Sequence, residues 1–157
     1  MEIFEGEVVL SVSPEEAFAI IGDPANASRI DPMIRSYEPE GGTMREGGLN
    51  HIRGRLSGLP YRVVSRTDVW DPPRRMVMAQ VRPARPARMT LIQTFEPHPD
   101  GTLVRYRTEI EATVPGAGFV ARAMRRSIAR NFAEGACRLR DLVSKRSTLE
   151  PPSGEES

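Results

Sequence analysis

Two hydrophobic periods divide the chain. From Phe4 to about position 113, apolar and polar residues alternate in short runs; after Pro115-Gly116 the apolar residues recur every three or four positions. The first period belongs to strands with one buried face, the second to one face of an α-helix. The helical stripe is Val120, Met124, Ile128, Phe132, Gly135, Leu139 and Val143. It predicts a helix of about 30 residues, roughly 45 Å long at ~1.5 Å per residue. Such a helix is long enough to cross a whole sheet, and a sheet wrapped around it leaves room for a cavity.

The strand-like part has its own punctuation. Phe4 to Val12 reads as a first strand, with Phe4, Val8, Leu10 and Val12 on one face. Ser13-Pro14-Glu15-Glu16 then opens a helix, with Ser13 as N-cap, Pro14 at the first helical position and Glu16 completing a capping box. Ala17, Phe18 and Ile21 form its buried face, Gly22-Asp23-Pro24 ends it, and residues 25–31 predict a second short helix or turn. Six strands follow at about 33–39, 48–56, 61–70, 75–82, 88–96 and 102–113, separated by Gly-, Pro- and Asp-rich turn signals. Connections this short join antiparallel neighbours. The predicted order is one strand, a short helical pair, six strands and a long helix.

Alternation also assigns faces. In the last strand Arg105, Arg107, Glu109 and Glu111 share the wet side, and Val104, Tyr106, Thr108, Ile110 and Ala112 face the helix. In the preceding strand Leu91, Gln93 and Phe95 point inward. In the fourth, Tyr61, Val63, Ser65, Thr67 and Val69 do so, opposite Arg62, Arg66 and Asp68. At 75–82 the choice between Met76, Met78, Gln80 and Val77, Ala79, Val81 stays open. The inward set is mostly apolar with a few hydroxyl and amide groups, the composition of a small-molecule pocket.

Length suits one domain, expected at residues 1–146, with 147–157 as a disordered tail of Pro, Ser, Gly and Glu. No apolar run reaches the ~20 residues that span a membrane, and the acidic start lacks the features of a signal peptide. One cysteine, Cys137, and two histidines, His51 and His98, favour the cytoplasm and point to no metal site or cofactor. Net charge is only +1, but residues 116–146 carry eight Arg and Lys against Glu134 and Asp141, a local +6. That face is expected to be solvated, with an acidic partner, an anionic lipid surface or a second copy of the chain as alternatives. Nucleic acid is disfavoured because the strands lack interleaved basic and aromatic residues.

Candidate acid–base chemistry is sparse. His51 shares strand parity with Arg53 and Arg55 and should be exposed; His98 lies in a Pro-rich turn. Tyr61 and Tyr106 have the phenols needed to polarise a bound carbonyl. Cys137 is read as a small core residue, and Met33, Met44, Met76, Met78, Met89 and Met124 as flexible core filler.

Ser13-Pro14-Glu15-Glu16-Ala17-Phe18, Asp23-Pro24, Asp71-Pro72-Pro73-Arg74-Arg75, Asp100-Gly101-Thr102 and the helix from Asn131-Phe132-Ala133-Glu134-Gly135 to Leu142 resemble the START-like (SRPBCC) superfamily over residues 1 to about 146. This is the polyketide cyclase/dehydrase and lipid-transport group, which includes the birch-pollen-allergen-like proteins. The resemblance implies an α+β helix-grip fold: a seven-stranded antiparallel sheet gripping the C-terminal helix over a hydrophobic cavity. A bacterial source is expected. Ser57-Gly58-Leu59-Pro60 is similar to the gate loop of the abscisic acid receptors, and Arg35 falls where those receptors place a carboxylate-pairing lysine. The receptors' latch motif is missing, and Arg82-Pro83-Ala84-Arg85-Pro86 stands there instead.

The expected function is binding of a hydrophobic small molecule (a lipid, a quinone or a polyketide-like compound) as carrier or sensor, with no stable membrane insertion. The alternative is an aromatase/cyclase-type enzyme acting on a bound polyketide chain. The candidate ligand-binding set is Arg35, Tyr37, Leu59, Pro60, Tyr61, Val63, Leu91, Gln93, Phe95, Tyr106, Thr108, Met124, Ile128 and Phe132.

Overall fold

The computed structural model describes residues 1–56 and 58–149. Among them, seven strands form one antiparallel sheet: β1 (Glu2–Leu10), β2 (Ile34–Pro39), β3 (Leu49–Leu56), β4 (Leu59–Asp71), β5 (Arg75–Arg82), β6 (Ala87–His98) and β7 (Gly101–Ala112). Their order is β1-β7-β6-β5-β4-β3-β2, so β1 crosses to the far edge and every later strand pairs with its predecessor. Helices α1 (Pro14–Ile21) and α2 (Ala27–Ile30) lie between β1 and β2, and α3 (Gly118–Leu149) follows β7. This is the helix-grip fold expected from the sequence. The helix runs three residues past the expected domain boundary at 146, and positions 150–157 of the expected tail lie outside the described residues.

Local signals act as their chemistry dictates. The Glu16 amide donates to the Ser13 hydroxyl at 3.2 Å, which caps α1 with Pro14 in its first turn. Ile20, rather than Ile21, takes the fully buried place beside Ala17 and Phe18; Ile21 turns toward the space under α3. The choice left open in β5 falls to the even positions: Met76 is buried in the core, and Gln80 donates to the carbonyls of Pro83 and Ala87 at 2.8 and 3.1 Å. In β4 the expected alternation holds up to Thr67. A register shift between Thr67 and Val69 then hands the inward place to Trp70, whose ring meets Phe18 at 4.9 Å.

Two separate clusters hold α3 on the sheet. Toward its C-terminal end, Leu139 and Val143 pack with Leu10, Phe18, Met76, Phe95 and Val104. Toward its N-terminal end, Ala121 packs with Ala87 and Ile110, flanked by Val120, Met124 and Ile128. Between them the helix approaches β1 because Gly6 has no side chain: a methyl built there would lie 2.6 Å from the Phe132 ring. Phe132 fills that space and makes edge contacts with Phe4 at 5.3 Å and Tyr106 at 5.6 Å.

The outer face of α3 is solvated, with Arg122, Arg126, Arg130 and Arg140 all exposed. Cys137 is on this face too, not in the core: it lies about 200° around the helix from Gly135, at ~100° per residue. No helix among the described residues is long and apolar enough to cross a membrane.

Leu139 is 1% exposed and joins the larger cluster to the helix. Leu139→Ala should lower unfolding free energy by about 2–5 kcal/mol, read as a shift of the urea midpoint with little change in slope.

Candidate functional site

Between the two clusters the helix and sheet enclose a cavity of about 210 Å3. Its floor comes from β6 and β7, where Leu91 pairs with Thr108 and Gln93 with Tyr106, all four facing α3. Its roof is Ile128, Asn131, Phe132 and Gly135 of α3. Its end is the segment from Ile21 to Ile34, which includes α2. Four methionines, Met33, Met44, Met78 and Met89, line it. They keep the expected part of core filler as well: Met44 is buried, and Met78 and Met89 pack against the two clusters while also bordering the cavity.

Seven of the candidate binding residues face this space: Tyr37, Leu91, Gln93, Tyr106, Thr108, Ile128 and Phe132. The other seven do not. Phe95 shares the inward parity of Leu91 and Gln93 but lies under α1, where its ring meets Phe18 at 5.0 Å. Met124 belongs to the N-terminal cluster of α3. Val63, in the middle of β4, pairs with Ile52 and stays off the wall. Leu59 and Pro60 form the exposed start of β4, with Leu59 71% exposed, and neither lines the cavity; Ser57, the first residue of the expected gate segment, lies outside the described residues. Arg35 is exposed because it is the extra residue of a bulge: Ile34 pairs with Gly54 and Ser36 with Arg53, and Arg35 is left over.

Tyr61 is diverted by a different contact. Gly54 lets the Met33 carbonyl cross β3 at a place where a methyl group would overlap that oxygen. The carbonyl accepts from the Arg55 amide and from the Tyr61 hydroxyl, both at 3.0 Å. Tyr61 thus ties down the entry to β2 rather than lining the cavity. His51 is exposed and bonds Glu40 at 2.9 Å, as its strand parity implied.

Sequence reasoning missed Asp31. It sits just past the end of α2 and lines the cavity, and its carboxylate accepts from the Met33 amide at 2.8 Å. Burial raises its pKa above the ordinary 3.8, more strongly than the Met33 hydrogen bond and the charge of Arg138 lower it. Burial also raises the pKa of Tyr106 and Tyr61, and the charge of Asp31 pushes both further up. Tyr37 is raised to about 12 by burial, against a hydrogen bond with Ser65, and its hydroxyl lies 3.1 Å from the Met78 sulfur. All three phenols are neutral at physiological pH and can only donate or accept hydrogen bonds. The only sequence signal for Asp31 is an Asp-Pro pair closing a short helical turn.

The floor keeps free hydrogen-bonding capacity. Gln93 is 7% and Thr108 4% exposed, and neither side chain, nor the Tyr106 hydroxyl, has a hydrogen-bond partner among the described residues. Among the described residues no fully buried side-chain N or O lacks a hydrogen-bond partner, so the polar atoms of these three residues are open to the cavity rather than sealed in a packed core.

The sequence profile of the family described as polyketide cyclase / dehydrase and lipid transport matches residues 1–144. Among solved structures, the Zhui aromatase/cyclase from Streptomyces sp. R1128 superposes with a TM-score of 0.76 at 14% identity, covering 93% of this chain and 95% of that one. A protein of Thermus thermophilus gives 0.72 at 20% identity, covering 93% and 99%. Ara h 8.0201 gives 0.70 at 13% identity, covering 92% and 98%. At these identities the likeness is one of fold. No curated protein matches the chain by sequence.

Because the folded state holds the Asp31 proton more tightly than the unfolded chain does, this group removes stability as pH rises from 3.8 through its folded pKa. Asp31→Asn keeps an acceptor for the Met33 amide and should raise the thermal midpoint at pH 7. The gain should shrink as pH falls toward 3.8. Calorimetric scans across that range check both statements.

Proposed function

Since the chain belongs to the polyketide cyclase/dehydrase and lipid-transport family, we propose that it binds a hydrophobic small molecule (lipid, quinone or polyketide-like) in the cavity under α3, as a carrier or sensor. The observation that carries this reading is an apolar cavity onto which three polar groups, the Gln93 amide and the Thr108 and Tyr106 hydroxyls, open without a hydrogen-bond partner among the described residues. A packed core would have paired Gln93, Thr108 and Tyr106 with one another, because an unmade buried hydrogen bond costs about 1–3 kcal/mol. Volume narrows the choice. At about 210 Å3 the cavity lies below the ~300–1,000 Å3 of sites for drug-sized ligands, so a compact ligand fits better than a long folded chain.

One observation favours a second reading, an aromatase/cyclase-type enzyme. Gln93 and Tyr106 are register partners that both face the cavity, and Asp31 is near enough for its charge to act on the Tyr106 phenol. A neutral phenol beside an amide is a means of polarising a carbonyl, and a buried carboxylate is a means of taking a proton. The enzyme reading requires turnover of a bound polyketide; the carrier reading requires only release of the ligand unchanged.

Native mass spectrometry of the purified chain, followed by calorimetric titration with naphthalene, tests the proposal. The expected result is one bound molecule per chain, with affinity reduced about tenfold or more in Leu91→Trp, which fills the floor and whose effect corresponds to ~1.4 kcal/mol. An unliganded mass together with no heat from naphthalene would overturn it.

A further inference from the structure

The cavity wall carries charge of one sign. Asp23 and Asp31 are its charged side chains, and no Arg, Lys or His among the described residues lines it. Asp23 is exposed at the rim, where its carboxylate accepts from the Ala25 amide at 3.0 Å. Asp31 lies deeper, with one oxygen bonded to the Met33 amide at 2.8 Å. The cation that acts on Asp31 is Arg138, but its guanidinium donates to Glu134 at 2.6 Å and stays off the wall. Arg35, placed by sequence where it would receive a carboxylate, is exposed on the bulge of β2.

That arrangement discriminates between ligand heads. An anion entering this space would be desolvated beside a like charge, and two carboxylates sharing a site cannot both ionise cheaply. A hydroxyl or ammonium would instead gain a charge-assisted hydrogen bond to a carboxylate that has few other partners. The unpartnered Gln93, Thr108 and Tyr106 groups are neutral and serve the rest of the ligand's polar edge. The rings of Phe4, Phe132 and Tyr106 line the same cavity and are equally suited to a flat apolar body or the flank of a cation.

Resting on the reading of this cavity as a ligand site, we infer that it selects a compact apolar molecule with a hydrogen-bond-donating head, bound through Asp31, and rejects carboxylates. Fatty acids and other carboxylate-tailed lipids are therefore excluded, whereas phenols, alcohols and apolar amines are admitted. The poor solvation of the Asp31 carboxylate, visible in its raised pKa, makes a donor worth more there than at the surface.

Four probes of one shape test the inference: naphthalene, naphthol, naphthylmethylamine and naphthoate, titrated calorimetrically at pH 7 into the wild-type chain and into Asp31→Asn. Naphthol or the amine should bind at least about tenfold more tightly than naphthoate to the wild type, and whichever leads tells a neutral hydroxyl from an ammonium. In Asp31→Asn, with folding checked by its thermal transition, that ratio should fall toward one. Naphthoate binding as well as both donors to the wild type would overturn the inference and leave the ligand site standing. So would a ratio that survives the substitution. Failure of all four probes to bind would overturn the inference together with the site.

Discussion

Everything in this molecule depends on how one long helix is held against a curved sheet. Ridge-and-groove packing along its full length would leave no space, but α3 is clamped only toward its two ends, by Leu139 and Val143 on one side and Ala121 on the other. The middle is set by a single steric fact: Gly6 lets Phe132 descend onto β1, so the helix is close there without filling the floor in front of β6 and β7. Two dry clusters therefore support an unfilled space between them. Interiors are normally packed to crystal-like density, and a gap of this size persists only because the clusters at its ends are strong enough to bear it.

The same division explains what alternation could and could not reveal. Parity placed the inward side chains of β7 and β6 correctly, since both are long, regular strands with one face under the helix. It could not say what stands above each position. Gln93 and Phe95 have the same parity, yet α1 covers Phe95 and leaves Gln93 open. A bulge defeated parity outright at Thr67–Val69, where Trp70 replaces Val69, and a second bulge at Ile34–Ser36 leaves Arg35 out of register, away from the place the receptor resemblance implied. A bulge depends on tertiary packing rather than on the residue that bears it.

Asp31 was illegible for a related reason. An Asp before Pro at the end of a short helical turn reads as turn chemistry, and locally that is what it is: its carboxylate caps the Met33 amide. Its exposure to the cavity comes from elsewhere, from Gly54 and Tyr61, which hold the Met33 carbonyl against β3 and so fix the path of the preceding residues. A residue's chemistry here is assigned by two others far along the chain. The methionines need no such assignment: flexible side chains suit a gap filler and a cavity wall equally, and Met78 and Met89 serve as both.

Arg35 ends with a different part from the one its position suggested. β2 is the last strand of an open sheet, and its outer side has no further strand to pair with among the described residues. A flat edge of that kind invites a strand from another chain, and proteins guard against it with bulges, charges and prolines. β2 has all three within six residues: the bulge at Arg35, the guanidinium on it, and Pro39 at its end. The arginine that the receptor resemblance placed at the ligand stands instead on a bulged, charged and proline-ended edge, the kind of edge that disfavours addition of a strand from a neighbouring molecule.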